Sequence, residues 1–336
     1  VLAESIAGEL ISSEIEATSG RANDTEDAIA RQRGAAQRLF TLAAGRDAWL
    51  GATGTHPWAD YREQPNIDTE HYRRVVDGLQ YVARRNNTFS LHAHVGVRGL
   101  DRAVRVCDRL RPVLPVLLAV SANSPYLDGL DSGLHSARSQ AFTKSFPRCG
   151  IPEAYGSWAA YRDYLQLLID TNSIVEYTQV WWSVRPHFSF GTVEVRICDV
   201  QSTAQESDAL ARLIAACVLQ AVSDEDEGVP SWGGGSATAG RLIEENFWRA
   251  IRYGMDGRMI DLAARREIEV SAALDELLRW TAPARAAGAI AEPVFPEQNG
   301  AQRQRAMIAG GESIASVFAA SVAETQASYA KEPVLP

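Results

Sequence analysis

Lysine is nearly missing from this chain, which holds only Lys144 and Lys331 among 33 basic residues. Few candidates remain for a mechanism built on a lysine amine, and the positive charge is that of arginine, a planar donor that stays charged. Cysteine is scarce too. Cys107, Cys149, Cys198 and Cys217 stand far apart with no Cys-x-x-Cys spacing, so they read as free thiols in a reducing cytoplasm, with no structural zinc site. The longest apolar run, Val113 to Val120, is broken by Pro115 and is far shorter than the roughly 20 residues that span a membrane. No signal-peptide pattern is seen, and the start at Val1 leads us to expect that some N-terminal sequence is absent. Net positive charge is also lacking. A balance of −9 excludes a broad electrostatic footprint for nucleic acid or an anionic membrane and leaves room for a local basic pocket. There is no GxxxxGK[ST] loop and no kinase signature, so a nucleotide would have to be held by other means.

What is present is enough for a sizeable core: 336 residues, 46% hydrophobic and 22% charged. No internal repeat or clean boundary divides them, and a single catalytic domain over residues 1–336 is expected. The most informative stretch is Phe89-Ser-Leu-His92-Ala-His94-Val-Gly-Val97. Its apolar residues alternate, so on a strand His92 and His94 share the opposite face, about 6.5–7 Å apart. One imidazole could bind a metal while its neighbour meets a phosphate. Glu9 to Thr18 reads as a second strand, with Ser12, Glu14, Glu16 and Thr18 on one face and Ile11, Ser13, Ile15 and Ala17 on the other. A third strand, Gly191 to Asp199, sets Val193, Val195 and Ile197 against Thr192, Glu194, Arg196 and Cys198.

Helical spacing separates these strands. Thr25 is read as the cap of a helix ended by Gly45, and Asp68 to Arg84 as a helix leading into the histidine strand. Asp101 is read as the cap of the next, bent where Pro112 and Pro115 remove donors. Gly51 to His56 is expected to be a strand ending in a turn. Ser157 to Asp170 and the Leu210 to Ala221 region are amphipathic helices, and residues 241–329 are mostly helical in pattern. Gly129 to Pro152 lacks periodicity and carries Arg138, Lys144 and Arg148, so it is expected to be a lid loop. Asp224 to Gly240 is expected to be a flexible loop. If the three strands share a sheet, its polar face gathers Glu14, Glu16, His92, His94, Arg185, Glu194 and Arg196. Carboxylates with imidazole suit Mg²⁺ or Mn²⁺, and added guanidiniums suit phosphoryl transfer. The same cup could activate water as a metal-dependent hydrolase.

Several motifs together carry a resemblance: His92-Ala-His94-Val-Gly-Val, Leu114-Pro-Val-Leu-Leu-Ala-Val-Ser-Ala-Asn-Ser-Pro125, Asp131-Ser-Gly-Leu-His-Ser136-Ala-Arg138, Phe146-Pro-Arg148, Trp182-Ser-Val-Arg185-Pro186, Thr192-Val-Glu194-Val-Arg196-Ile-Cys-Asp199 and Glu245-Asn246-Phe-Trp248-Arg-Ala-Ile-Arg252-Tyr-Gly254. With Ile15-Glu16-Ala-Thr18 and Gly54-Thr-His56-Pro57, this order resembles the type 2 glutamate–cysteine ligases, or carboxylate–amine ligases, of the glutamine synthetase superfamily. The resemblance implies an α+β fold, a curved antiparallel sheet with helices packed on its convex side. It implies ATP and Mg²⁺ or Mn²⁺ in the concave face, small-molecule carboxylate and amine substrates, and self-association into homo-oligomers. Glu14, Glu16, His92 and Glu194 would bind metal, His94, Arg138 and Arg148 would bind nucleotide, and Arg185 and Arg196 would act on the transferring phosphoryl group. Such a ligase would join acid to amine through an acyl phosphate. Two departures stand out. No Gly-x-Glu-x-Glu strand precedes Ile15, which makes a chain lacking its first strand, or a non-catalytic nucleotide- or amino-acid-binding relative, the rival expectation. Ala93 between the histidines and Leu127-Asp128 after Tyr126 also depart from the pattern.

Overall fold

The computed structural model describes residues 6–46, 48–234 and 239–330. It is a mixed α+β structure. At its start β1 (Ile6–Gly8) and β2 (Ile15–Ala17) form an antiparallel hairpin of their own. The single strand expected over 9–18 is therefore corrected. A turn at Ser12 and Ser13, closed by the Glu14 amide donating to the Ile11 carbonyl at 3.0 Å, folds the segment back. Ile15, set on the face opposite Glu14 and Glu16, is largely exposed.

Helix α1 (Thr25–Ala44) is capped by Asp24, whose carboxylate accepts from the Asp27 amide at 2.8 Å, so the cap lies one residue before the one expected. The 68–84 helix is interrupted: α2 (Glu70–Leu79) ends where Gln80 adopts φ 49°, and α3 (Tyr81–Arg84) follows. Gly51 to His56 forms no strand and contributes one isolated bridge, Thr55 to Thr88. Next come β3 (Ser90–Gly96), α4 (Leu100–Leu110) and α5 (Leu114–Ser121). Residues 111–113 break what was read as one bent helix. Asp101 lies inside α4 and accepts from the Trp158 amide at 2.9 Å.

The segment from 129 to 152 carries short elements. β4 (Tyr126–Leu127) pairs with β5 (Leu130–Asp131), a π-helical turn covers Ser139–Thr143, and β6 (Cys149–Gly150) runs parallel to β7 (Trp181–Trp182) beyond α6 (Trp158–Asp170). Then β8 (Val184–His187) and β9 (Thr192–Asp199) lead into α7 (Ala204–Asp226), opened by a reciprocal Thr203 and Glu206 capping box. Helix α8 (Ala239–Tyr253) follows. Of the expected 224–240 loop, 235–238 lie outside the described residues and both ends are helical. A hairpin that periodicity missed, β10 (Arg258–Asp261) with β11 (Arg266–Glu269), precedes α9 (Val270–Ala287), α10 (Gly300–Ala309) and α11 (Ile314–Ala330). Among the described residues no helix is long and apolar enough to cross a membrane.

The central sheet has the antiparallel order β3-β9-β8. Val193 and Val195 project from it into the main core with residues of α4, α5 and α7, including Leu110, Leu117, Leu118, Leu213 and Ile214. Register shifts between Leu91 and Ala93, where Arg196 and Ile197 of β9 oppose His92 alone. Such a bulge reverses the face of every residue beyond it. Cys198, expected on the polar face, therefore lies in the core, and Asp199 turns to the other side.

Fully buried, the Asp199 carboxylate accepts from the Ser124 hydroxyl at 2.6 Å, the Asn123 amide at 2.9 Å and the Ser136 hydroxyl at 2.9 Å. Arg138 stands 3.7 Å away and donates to the carbonyls of Ile197 and Arg196 at 3.0 and 3.2 Å. Gly54 lies so close that a Cβ there would come within 2.7 Å of this carboxylate. Asp199→Ala leaves a buried guanidinium without its counter-charge, so we expect a loss of about 3–5 kcal/mol in urea unfolding. A loss below about 1 kcal/mol would mean that the carbonyl contacts alone satisfy Arg138.

Candidate active site

On the polar face of the central sheet His94, Glu194 and Arg185 form one cross-strand row, each directly opposite the next. Glu194 is 2% exposed. Its Oε2 accepts from Arg185 Nε at 2.7 Å, and its Oε1 accepts from Arg196 Nη1. Burial pushes this carboxyl upward, but Arg196 and Arg185 together outweigh it and hold Glu194 well below the usual carboxylate range. Arg185 Nη1 also donates to the Thr178 and Val180 carbonyls at 2.9 and 2.6 Å. Arg196 is less constrained, and its Nε is buried with no partner.

His94 lies 3.6 Å from Glu194 Oε1 through Nε2, and its Nδ1 meets the Thr192 hydroxyl at 3.0 Å. His92 Nε2 meets the Ser90 hydroxyl at 2.8 Å. Burial lowers both imidazoles, with Arg196 adding to the effect at His92. Both are therefore neutral near pH 7, fit to accept or donate a hydrogen bond rather than to carry charge. His187, two residues beyond Arg185 and on the same strand face, stacks on Phe190 with centroids 4.2 Å apart and sits 5.3 Å from His94. That histidine could have been found from its spacing to Arg185.

Glu14 and Glu16 belong to the separate hairpin, not to the central sheet; Glu16 lies near enough to feel Arg196 and Glu194, and Glu14 feels Arg138. Burial first, then the charge of Glu9, raises Glu16 to about 7, while Arg196 opposes the rise. Burial, Glu9 and Glu16 raise Glu14 to about 9 against the pull of Arg138. Glu9 is an acid that sequence reasoning missed, because alternation along a continuous strand puts it on the face opposite Glu14. The turn returns it to the cluster, where the Tyr72 hydroxyl lies 3.4 Å from its Oε2.

The expected lid arginines are placed differently. Arg138 is 2% exposed and engaged by backbone carbonyls behind β9, so it does not project toward solvent as a lid residue would. Arg148 is half-buried, donates to the Gln179 carbonyl at 3.3 Å and lies over the Trp181 ring at 5.8 Å. Nor do Glu14, Glu16, His92 and Glu194 converge as one ligand set. Among the described residues no three His, Cys, Asp or Glu side chains stand where they could share an ion. As arranged, Glu194 is saturated by guanidiniums. Glu14 and Glu16 offer oxygen donors of the kind a hard divalent cation takes, and burial, which raises both, means that such an ion would bind them with loss of their protons.

Comparison with known proteins agrees with this architecture of motifs. The profile described as Glutamate-cysteine ligase family 2 (GCS2) matches residues 2–319, and the chain belongs to that family. A protein of Solibacter usitatus, provisionally named glutamate–cysteine ligase 2, is 36% identical over 310 residues, covering 90% of this chain and 79% of its own length. One from Rubrobacter xylanophilus, provisionally named glutamate–cysteine ligase 2-2, is 38% identical over 281 residues, with 83% and 72% covered. A Natronomonas pharaonis protein named glutamate–cysteine ligase is 35% identical over 291 residues, with 87% and 77% covered.

The acid cluster has a pH signature. A carboxyl whose folded pKa lies above its unfolded value holds its proton longer when folded, so stability falls as pH rises from the ordinary carboxylate range toward 9. In EDTA the melting temperature should fall from pH 5 to pH 9, and Glu14→Gln should remove much of that fall. An unchanged slope in the variant would show that Glu14 titrates as an ordinary surface acid.

Proposed function

We propose that this chain is an ATP-dependent carboxylate–amine ligase, with glutamate and cysteine as first-choice substrates. The observation that carries the reading is the row His94, Glu194 and Arg185 with Arg196 beside it. Two preorganised guanidiniums and two neutral imidazoles in a half-buried cup suit a group whose negative charge shifts during transfer. Family membership and the ligase names of the relatives support the same reading. The antiparallel sheet with helices on one face is consistent with a glutamine synthetase-type catalytic domain.

A carboxylate is a poor electrophile, which is why the reaction needs activation. An oxygen of the substrate carboxylate attacks the γ-phosphorus of ATP, the bond to the bridging oxygen breaks, and ADP leaves with that electron pair. The resulting acyl phosphate is attacked by the free amine at its carbonyl carbon. The C–O bond to phosphate breaks, the amide forms and the amine proton is released. Arg185 and Arg196 neutralise the transferring phosphoryl oxygens, and His94 contacts phosphate through its Nε2. Arg148, more accessible than Arg138, is the lid-side contact for the nucleotide. Glu14 and Glu16 would hold Mg²⁺ or Mn²⁺, which supplies charge neutralisation to the phosphates when bound.

The direct test incubates the protein with ATP, Mg²⁺, glutamate and cysteine and follows amide product and phosphate together. Equimolar appearance of both is expected. Amide or hydrolysis without an ATP requirement would overturn the reading. Arg196→Lys keeps the charge and loses the planar fork, so turnover should fall on the order of 10²–10³-fold while the ATP KM changes much less. Near-normal turnover in that variant would make Arg196 an ion-pair partner of Glu194 and nothing more.

A further inference from the structure

Glu194 is placed where an incoming oxyanion would have to go. One guanidinium holds each of its oxygens, and its carboxylate presents to Arg185 and Arg196 what a phosphoryl group would present: two anionic oxygens at a spacing that guanidinium forks match. The two arginines are not equally fixed. Arg185 has additional carbonyl partners at 2.9 and 2.6 Å, whereas Arg196 has a buried Nε with no partner and lies beside His94, whose side chain is 32% exposed. Arg196 thus holds unused donor capacity, although its unpartnered Nε is buried.

We propose that Glu194 is an internal latch: it occupies the seat of a phosphoryl-type oxyanion between Arg185 and Arg196, and the cup binds a polyphosphate strongly only when Glu194 is drawn off these guanidiniums. The inference deepens the phosphoryl-transfer reading of the same cup, on which it rests. Two anions cannot share the fork donors, so the native carboxylate competes with any polyphosphate. A fixed structural ion pair would show no such competition.

Inorganic tripolyphosphate in EDTA is the probe, titrated calorimetrically into the full chain and followed in parallel by melting temperature. The wild type should bind it weakly. Glu194→Gln, which keeps the shape and removes the charge, should bind it at least about tenfold tighter and gain more thermal stability from it. Glu194→Asp keeps the charge but is one methylene shorter and cannot reach both guanidiniums, so it should fall between. It also carries the test if the Gln variant does not fold. Adding Arg196→Gln to Glu194→Gln should abolish the gain. Equal or weaker tripolyphosphate binding in the folded Glu194 variants overturns the latch. Wild-type ATP-dependent amide formation, measured separately, keeps the two readings apart. Amide formation without the variant gain defeats the latch alone, and the gain without amide formation defeats the ligase reading alone.

Discussion

Two guanidiniums in one half-buried cup repel each other and have each lost much of their water, so their coexistence depends on the carboxylate between them. Glu194 meets that need with one oxygen for each arginine. The Coulombic return from a buried pair is largely offset by desolvation, which makes the pair a weak source of net stability and a strong determinant of position. Position is what propagates outward. Arg185, fixed at Nε by Glu194, reaches with Nη1 to the Thr178 and Val180 carbonyls. Those carbonyls belong to the turn that places Tyr177 and Val180 against Tyr161, Leu165, Trp158 and Phe188. One carboxylate therefore couples the middle strand of the sheet to the second hydrophobic cluster.

The bulge on β9 provides the other half of the construction. Without it, strict alternation would point Cys198 at the cup and Asp199 into the apolar core, where an ionised carboxylate has no partner. With it, Cys198 packs against the α5 side of the core and Asp199 meets Ser124, Ser136 and Asn123. Arg138 closes the arrangement by donating to the carbonyls of the two bulged residues themselves. The irregularity and the arginine that stabilises it are thus one device, and it lies directly behind Arg196.

Much of this was legible in the sequence where burial on one face imposes a period. The alternation of Phe89 to Val97 and of Thr192 to Ile197 places His94, Glu194 and Arg196 correctly, because slipping either strand by a residue would expose its valines. The 157–170 helix was legible from its apolar spacing, although Ser157, read as its first residue, is its cap and accepts from the Ala160 amide. Illegible features were those set by backbone irregularity or by distant partners. A bulge leaves no mark in composition, so Cys198 was assigned to the polar face and lies in the core. The turn at Ser12 and Ser13 interrupts an alternation that looks continuous, which hid Glu9 and misdirected Ile15. Arg138 looked like a solvent-side residue because its segment lacks periodicity, yet short elements with their own pairings bury it. The family motifs, being ordered identities rather than periods, were unaffected by either irregularity.

Identical side chains in this cup are driven in opposite directions, and the reason is the distribution of guanidiniums. Glu194 has two of them and is held ionised. Glu14 feels Arg138, but that arginine is already shared between Asp199 and two carbonyls, and Glu9 and Glu16 crowd it from the other side. The acids are consequently divided into Glu194, held ionised between two guanidiniums, and Glu14 and Glu16, which burial and the neighbouring acids keep protonated to higher pH. The sign of each shift therefore follows the arginines: Glu194 has two within ion-pair distance, whereas Glu14 feels only Arg138, whose charge Asp199 already meets.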